Sequence, residues 1–345
     1  MNSVERVLAA LRREEPDRVP MMELLIDPQV ARAVVPGCLD GADCMDRLGM
    51  DVMAHLALSF GVVEGREDGT YVDEWGVTYA GTANAVGHPI HGPIATMEDL
   101  RRYEPPDPAA PGRLGILHDL VQRYKGRRAV LFHQRVSFMW AAYLNGLDNL
   151  LVNFLLEPDF ASALLDMVLE VNIGIARRAV RAGADVISLG DDYAYNSGPM
   201  MSPQVFEHFL QPRLKRMVEV IHEEGALVIK HSDGNLYPLL DAIASCGPDA
   251  LHSIEPSAGM DLATTKGLVG DRMALIGNVD CGELLTRGTP DQVREAVRQC
   301  IRDAAPGGGY LLASSNSIHI GVKPENLLAM VEARLEFGEY PIKVA

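Results

Sequence analysis

Residues 227–256 read Leu-Val-Ile-Lys-His231-Ser-Asp233-Gly-Asn235, then a helical span, then Asp-Ala-Leu-His252-Ser-Ile-Glu255-Pro. A short apolar run that ends abruptly in His, Asp and Glu, twice within one strand-helix repeat, is the pattern expected at the rim of a parallel barrel, where chemistry sits. A metal or acid-base site built from His231, Asp233, His252 and Glu255 is the leading expectation. Each residue also has an ordinary reading. A histidine at a strand end can be a hydrogen-bonded rim residue, and Asp233-Gly234-Asn235 can be turn and cap chemistry before the next helix. Recurrence of the pattern at nearly every strand favours the site.

Outward from that stretch, residues 19–26 form a first apolar run interrupted by Glu23, which either points into the barrel mouth or caps the helix that follows. Residues 50–58 carry His55, 129–135 carry His133 and Arg135, and 184–192 end in Asp191-Asp192. The runs 227–230, 249–254, 273–277 and 309–313 complete the set, each followed by a helix or helical turn. Eight strand-then-helix units predict a single (β/α)8 TIM barrel over residues 1–345 with an N-terminal helical extension. The competing open, doubly wound sheet lacks its GxGxxG after the first strand, and Gly307-Gly308-Gly309 precedes its strand and reads as a turn.

Residues 61–92 have a different texture, Gly-punctuated and rich in β-branched and aromatic residues, which predicts a β-hairpin lying beside the mouth as a partial lid. Trp75 and Tyr79 read as its packing residues. The insertion, about 61–115, ends in the rigid Glu104-Pro-Pro-Asp-Pro-Ala-Ala-Pro segment.

With 48% hydrophobic residues the chain buries a sizeable core, and a net charge of −16 (47 acidic against 31 basic) argues against a nucleic-acid groove or an anionic membrane as partner. The opening segment reads as an amphipathic helix and not a signal peptide, and no segment approaches the uncharged length of a membrane span. Five cysteines without CxxC pairing fit reduced thiols in the cytoplasm. Cys281 reads as a buried structural thiol before a ligand. The rim inventory is Glu23, His55, His133 with Arg135, Asp191 with Asp192, His231 with Asp233, His252 with Glu255, Asn278 with Asp280, and Ser314 to Asn316. Acids and imidazoles with one guanidinium suit a divalent metal and a mostly neutral substrate better than a multiply charged anion.

Several blocks then carry a resemblance. Glu5-Arg-Val-Leu-Ala-Ala-Leu, Pro16-Asp-Arg-Val-Pro20, Asp73-Glu-Trp-Gly-Val-Thr78, Asp191-Asp192 through Ser197-Gly-Pro-Met-Met-Ser-Pro203, His231-Ser-Asp-Gly-Asn235, Ile276-Gly-Asn-Val-Asp280 and Gly321-Val-Lys-Pro-Glu-Asn326 stand in order along nearly the whole chain. Together they resemble the uroporphyrinogen decarboxylase superfamily, and within it the corrinoid-dependent methyltransferase branch of O-demethylase type. Decarboxylases of the superfamily grip their substrate with an early arginine-rich motif. Here that stretch is Met22-Glu-Leu-Leu-Ile-Asp-Pro28, without arginine, and the decarboxylase aspartate falls near Leu58. Thiol-methylating members bind zinc through His-x-Cys and a later Cys, whereas this chain has His231, Asp233 and, near the later position, Asn316.

The resemblance therefore implies a methyltransferase that moves a methyl group from a small methylated donor, with a methoxylated aromatic preferred, to the cobalt of a corrinoid (cobalamin). It implies zinc as Lewis acid on His231, Asp233 and Glu255. His252 or His133 would supply the proton, Asp192 would complete the catalytic set, and Glu23, His55, Arg135, Tyr193 and Asn316 would contact substrate. Asp192 and Glu207 are further ligand candidates, with Glu207 expected to face solvent on its helix. For Tyr193, Tyr195 and the Met200-Met201 pair, loop packing and a lining of the donor pocket both remain open. No Asp-x-His-x-x-Gly motif is present, so the corrinoid would arrive on a separate corrinoid-binding protein docked over the mouth. No nucleic acid or membrane partner is implied, and a homodimer stays open. The alternatives are a decarboxylase acting on a smaller substrate and a non-catalytic binding homologue.

Overall fold

The computed structural model describes residues 1–55, 62–66, 68–81 and 87–343, with the backbone alone at 55 and 62. Seven parallel strands, β1 (Val52–His55), β2 (Ala129–Gln134), β3 (Val186–Leu189), β4 (Leu227–Ser232), β5 (Ala250–Ser253), β6 (Ala274–Val279) and β7 (Tyr310–Ser314), pair in chain order. Each connection runs through helix, as parallel neighbours require. His231 lies opposite His252, and Lys230 opposite Leu189, in the strand registers.

The barrel closes through residues 19–26, where a full eighth strand is expected from the sequence. Only isolated bridges form there, Met21 with Leu312 and Ile26 with Ile318. Met22 N–H donates to the Leu312 carbonyl (3.0 Å) and Asp51 N–H to that of Met21 (2.8 Å), so the segment sits between β7 and β1. Two features break the ladder. Pro20 has no N–H to give, and the N–H of Ser314 is taken by the Glu23 side chain at 2.7 Å.

Side-chain alternation divides the wall into two faces. Leu131, Val186, Ile229, Ala250, Ile276, Leu311 and Ala313 fill the barrel interior together with Met22 and Leu24. Helix Ser3–Leu11, started by an Asn2/Glu5 capping box, closes the bottom with Val7, Ala10 and Leu11 in that same cluster. The outward residues pack beneath the surrounding helices, the longest of which is Pro158–Arg181.

The insertion is more than a hairpin. Four short antiparallel strands, Val62–Gly65, Tyr71–Asp73, Thr78–Ala80 and His88–His91, form a second sheet. It is fixed to the barrel by Trp75, which stacks on Trp140 with centroids 4.9 Å apart. Trp75 and Tyr79 are buried, as their expected packing role requires. Leu58 lies outside the described residues. Among those described, no helix is long and apolar enough to cross a membrane.

Under the barrel floor, the buried Asp51 carboxylate accepts from Ser3 Oγ (2.8 Å), Arg6 Nη1 (2.6 Å), Met21 N–H (3.1 Å) and Arg334 Nη2 (3.1 Å). It holds the N-terminal helix, the closing segment and the last helix at one point. Removing it leaves the buried Arg334 guanidinium without a carboxylate and Arg6 with Asp17 alone. Asp51→Ala is therefore expected to lose about 3–5 kcal/mol of unfolding free energy in urea titration, and a loss under about 1 kcal/mol would contradict this role.

Candidate metal centre at the mouth of the barrel

Alternation places Asp192, His231 and Asp233 on the inward face at the C-terminal ends of β3 and β4. His231 Nε2 is 3.9 Å from Asp192 Oδ1 and 3.7 Å from Asp233 Oδ1. One ligand atom from each of the three lies within 4.8 Å of the others. A tetrahedral ion about 2.1 Å from each ligand spaces them by roughly 3.4 Å, so small side-chain rotations bring this nitrogen-oxygen set to coordination distance. The residues fit a zinc ion and leave one position for a substrate oxygen.

Neighbouring groups hold the three in place. Asp233 Oδ1 accepts from Ser253 Oγ at 2.9 Å and Oδ2 from Asn316 Nδ2 at 2.5 Å. The N–H of Asp233 donates to Asp192 Oδ1 at 3.2 Å. Burial raises the Asp233 carboxyl, the charge of His231 lowers it, and Asp192 raises it again. His231 Nδ1 meets His252 Nδ1 at 2.8 Å, which leaves His231 Nε2 facing the two carboxylates. His252 is fully buried behind it, and burial drives its pKa well below 6.5. It contacts His231 and has no exposed surface to offer a substrate, unlike the proton-donor role expected for it from sequence.

Glu255, expected among the ligands, is spent elsewhere. Its Oε2 accepts from Gly234 N–H (2.8 Å) and its Oε1 from Ser257 Oγ (2.5 Å), which secures the turn after β4. Gly234 has φ +84°, and a Cβ there would stand 2.5 Å from the Ala194 carbonyl, so that turn needs glycine. Asp192, a further ligand candidate from sequence, takes the third place in the cluster instead of Glu255.

The chain matches the uroporphyrinogen decarboxylase family model over residues 76–337. It belongs to that family. Among curated relatives, it is 33% identical over 181 residues to methylcobamide:CoM methyltransferase MtaA of Methanosarcina barkeri, a match over 52% of this chain and 50% of that protein. The chain thus spans about half the length of that relative. It is 26% identical over 338 residues to methylcobamide:CoM methyltransferase MtbA of Methanosarcina mazei, covering 95% and 96% of the two chains. Uroporphyrinogen decarboxylase of Coxiella burnetii is 25% identical over 280 residues, 74% of this chain and 72% of that one. A solved methyltransferase from Methanosarcina mazei has the same fold, with a TM-score of 0.78 at 24% identity over 98% of this chain and 99% of that one.

In this member of the uroporphyrinogen decarboxylase family, the other rim residues separate by face. His133 is half-buried at the mouth, its Nδ1 3.1 Å from Ser188 Oγ and its ring 6.3 Å from that of His231. Gly190 makes room for it, since a Cβ there would lie 2.3 Å from His133 Cε1. Burial, then the charge of His231, keeps its pKa well below 6.5. Arg135 lies beside it, bonded to the Gly190 carbonyl at 2.8 Å. Asn316 joins the cluster through Asp233. The side chain of His55 lies outside the described residues.

Asp191, Tyr193 and Glu23 point the other way. The Asp191 carboxylate accepts from Ser137 and Phe138 N–H, both at 2.8 Å, at the start of helix Phe138–Asn145. Tyr193 is 1% exposed and packs against Phe206 and Phe138 in the outer layer. Sequence reading missed Lys230, a fully buried ammonium that donates to the carbonyls of Asp191 (2.6 Å), Leu189 (3.4 Å) and His231. The available signal was a lysine inside an apolar strand.

Glu23 is fully buried, its two oxygens bonded to Ser314 N–H and Oγ at 2.7 Å each. Met22 and Leu24 beside it face the barrel interior, and Ser314 follows the inward Ala313, so Glu23 lies on the outer side. Burial pushes its pKa up to about 8 from 4.5. Between those values the folded chain keeps a proton that the unfolded chain has lost, so stability falls as pH rises from 4.5 toward 8. Glu23→Gln is expected to remove that slope, so its stability relative to wild type rises from pH 5 to pH 8 in urea titrations. Parallel curves for the two proteins would refute a buried, protonated Glu23.

Proposed function

We propose that this chain is a corrinoid-dependent methyltransferase that demethylates a small methoxylated donor, using a zinc ion held by Asp192, His231 and Asp233. The observation that carries the proposal is the one-imidazole, two-carboxylate cluster at the mouth, in a family whose thiol-methylating members are expected to place sulfur there. The relatives named as methylcobamide:CoM methyltransferases support a corrinoid as the second substrate. The harder donor set suits an oxygen ligand better than a thiolate.

In the reaction, the methyl carbon leaves oxygen for the cobalt(I) of a corrinoid brought by a partner protein. The C–O bonding pair stays on oxygen, which then takes up a proton. A zinc ion in the cluster would supply Lewis acidity toward that oxygen. Asp192 and Asp233 hold the cation site, and Ser253 and Asn316 hold Asp233. His252 fixes the ring of His231. His133, the imidazole of the three with access to the mouth, is kept neutral by burial and is assigned to hydrogen-bond the departing oxygen through its N–H, the proton itself coming from water. The insertion sheet, anchored by Trp75, reaches the same end through Tyr79, whose ring meets that of Tyr143 edge-on at 6.4 Å.

Metal analysis of the purified protein tests the ligand set. Stoichiometric zinc is expected in wild type and in Glu255→Gln, and is expected to be lost in Asp192→Ala, His231→Ala and Asp233→Ala. His252→Ala should bind zinc about 10- to 100-fold more weakly, as loss of an orienting neighbour does. Function is tested by methyl-cobalt absorbance from a methoxylated phenol and a reduced corrinoid protein. A panel of such donors giving no methyl-cobalt, while the corrinoid partner still binds, would overturn the proposed activity.

A further inference from the structure

Arg135 stands at the mouth of the barrel, outside the Asp192, His231 and Asp233 cluster. It follows β2 two residues after His133 and shares that residue's inward face. Nη1 donates to the Gly190 carbonyl at 2.8 Å and Nη2 to the Tyr143 hydroxyl at 3.2 Å. Its Cζ stands 5.2 Å from the centroid of the Tyr143 ring. Tyr143 is itself fixed by edge contacts with Trp140 (5.7 Å) and Tyr79 (6.4 Å). The guanidinium is thus a half-buried cation held at one orientation, with two of its five N–H donors in use.

No carboxylate among the described residues pairs with it. The acids whose field reaches it are already engaged, Asp191 with the N–H groups of Ser137 and Phe138 and Asp192 with the N–H of Asp233 and the cation cluster. Burial opposes the charge of Arg135, and the fields of Tyr143, Asp192 and Asp191 more than restore it. Its location matters as much as its charge. It holds the carbonyl of Gly190, the residue that makes room for His133, and Asp192 follows two positions later. A planar, immobile cation with unspent N–H groups beside a reaction centre is what bidentate carboxylate recognition requires.

We propose that Arg135 binds a carboxylate on the methyl donor, so that the donor is a methoxylated carboxylic acid carrying a single negative charge. The methoxy group rests on the proposed methyl transfer, whereas the carboxylate rests on Arg135 alone. One fork-shaped cation suits one carboxylate; a substrate with several would need more partners. With its carboxylate on Arg135, the donor's methoxy oxygen points toward the Asp192, His231 and Asp233 cluster.

Calorimetric titration of the zinc-loaded protein without corrinoid, where no methyl transfer can occur, tests this directly. The probes are a methoxybenzoate and the matching methoxybenzamide. Wild type is expected to bind the acid at least about tenfold more tightly than the amide, Arg135→Met to lose that preference, and Arg135→Lys to recover only part of it. Equal affinity for the two probes, no binding of either, or a preference surviving in Arg135→Met, as when the carboxylate sits on the zinc, would overturn the proposal. Should Arg135→Met fail to fold, the acid-amide comparison on wild type and Arg135→Lys decides. Selective binding of the acid with no methyl transfer from it would remove the proposed activity and leave the carboxylate site standing.

Discussion

Lys230 donates to three main-chain carbonyls, those of Leu189, Asp191 and His231, and its ammonium lies 4.2 Å from the Tyr193 ring centroid. Burial brings its pKa down to about 8. A buried ammonium is costly unless its protons are satisfied, and here oxygen dipoles and an aromatic face do that. The result is a seam between the ends of β3 and β4. Lys230 fixes the carbonyl of Asp191, Ser232 Oγ accepts from Tyr193 N–H at 3.0 Å, and Asp233 N–H donates to Asp192 Oδ1. Three residues of one strand end thus position the three-residue segment that carries Asp192. Between them, His231 projects inward.

The seam brings two carboxylates to the same imidazole edge, an arrangement that is unfavourable for like charges. The neighbouring groups offset it unequally. Asp233 receives two side-chain hydrogen bonds, from Ser253 and Asn316, whereas Asp192 receives the N–H of Asp233. Asp233 is the carboxyl whose pKa burial raises. A divalent cation would relieve the repulsion and use the same lone pairs, which links the electrostatic tension to the proposed metal function. The imidazoles follow the same logic of burial, with His252 enclosed and neutral behind His231 and His133 open to the mouth.

The barrel and most of its strands were legible because a parallel βα repeat writes itself as apolar runs separated by amphipathic spans. The cluster was partly legible. His231 and Asp233 both stand an even number of residues beyond the inward Ile229, and Asp192 stands an even number beyond the inward Val186. The same parity turns Asp191 and Glu255 outward, so the alternation rule, applied strictly, separates Asp192 from both. Glu23 was ambiguous because its run departs from a regular strand at Pro20, and only the packing of Met22 and Leu24 into the interior shows which face it takes. The four-stranded insertion exceeded the hairpin read from glycine and aromatic spacing, since pairing between distant short strands depends on contacts such as Trp75 with Trp140.

By itself, the sequence determined the family, the closed β/α architecture, and a mouth rich in imidazole and carboxylate, because these follow from local periodicity and residue type. Only the tertiary structure decided which of those groups meet. Neighbouring strands come to adjacent positions only once the sheet closes, and that closure joins Asp192 to His231 across the β3–β4 seam while spending Glu255 on a turn and Asp191 on a helix start. The side chain of Arg135 likewise gained its place from Gly190 and Tyr143, one distant along the chain and one on the next helix, which only packing brings together.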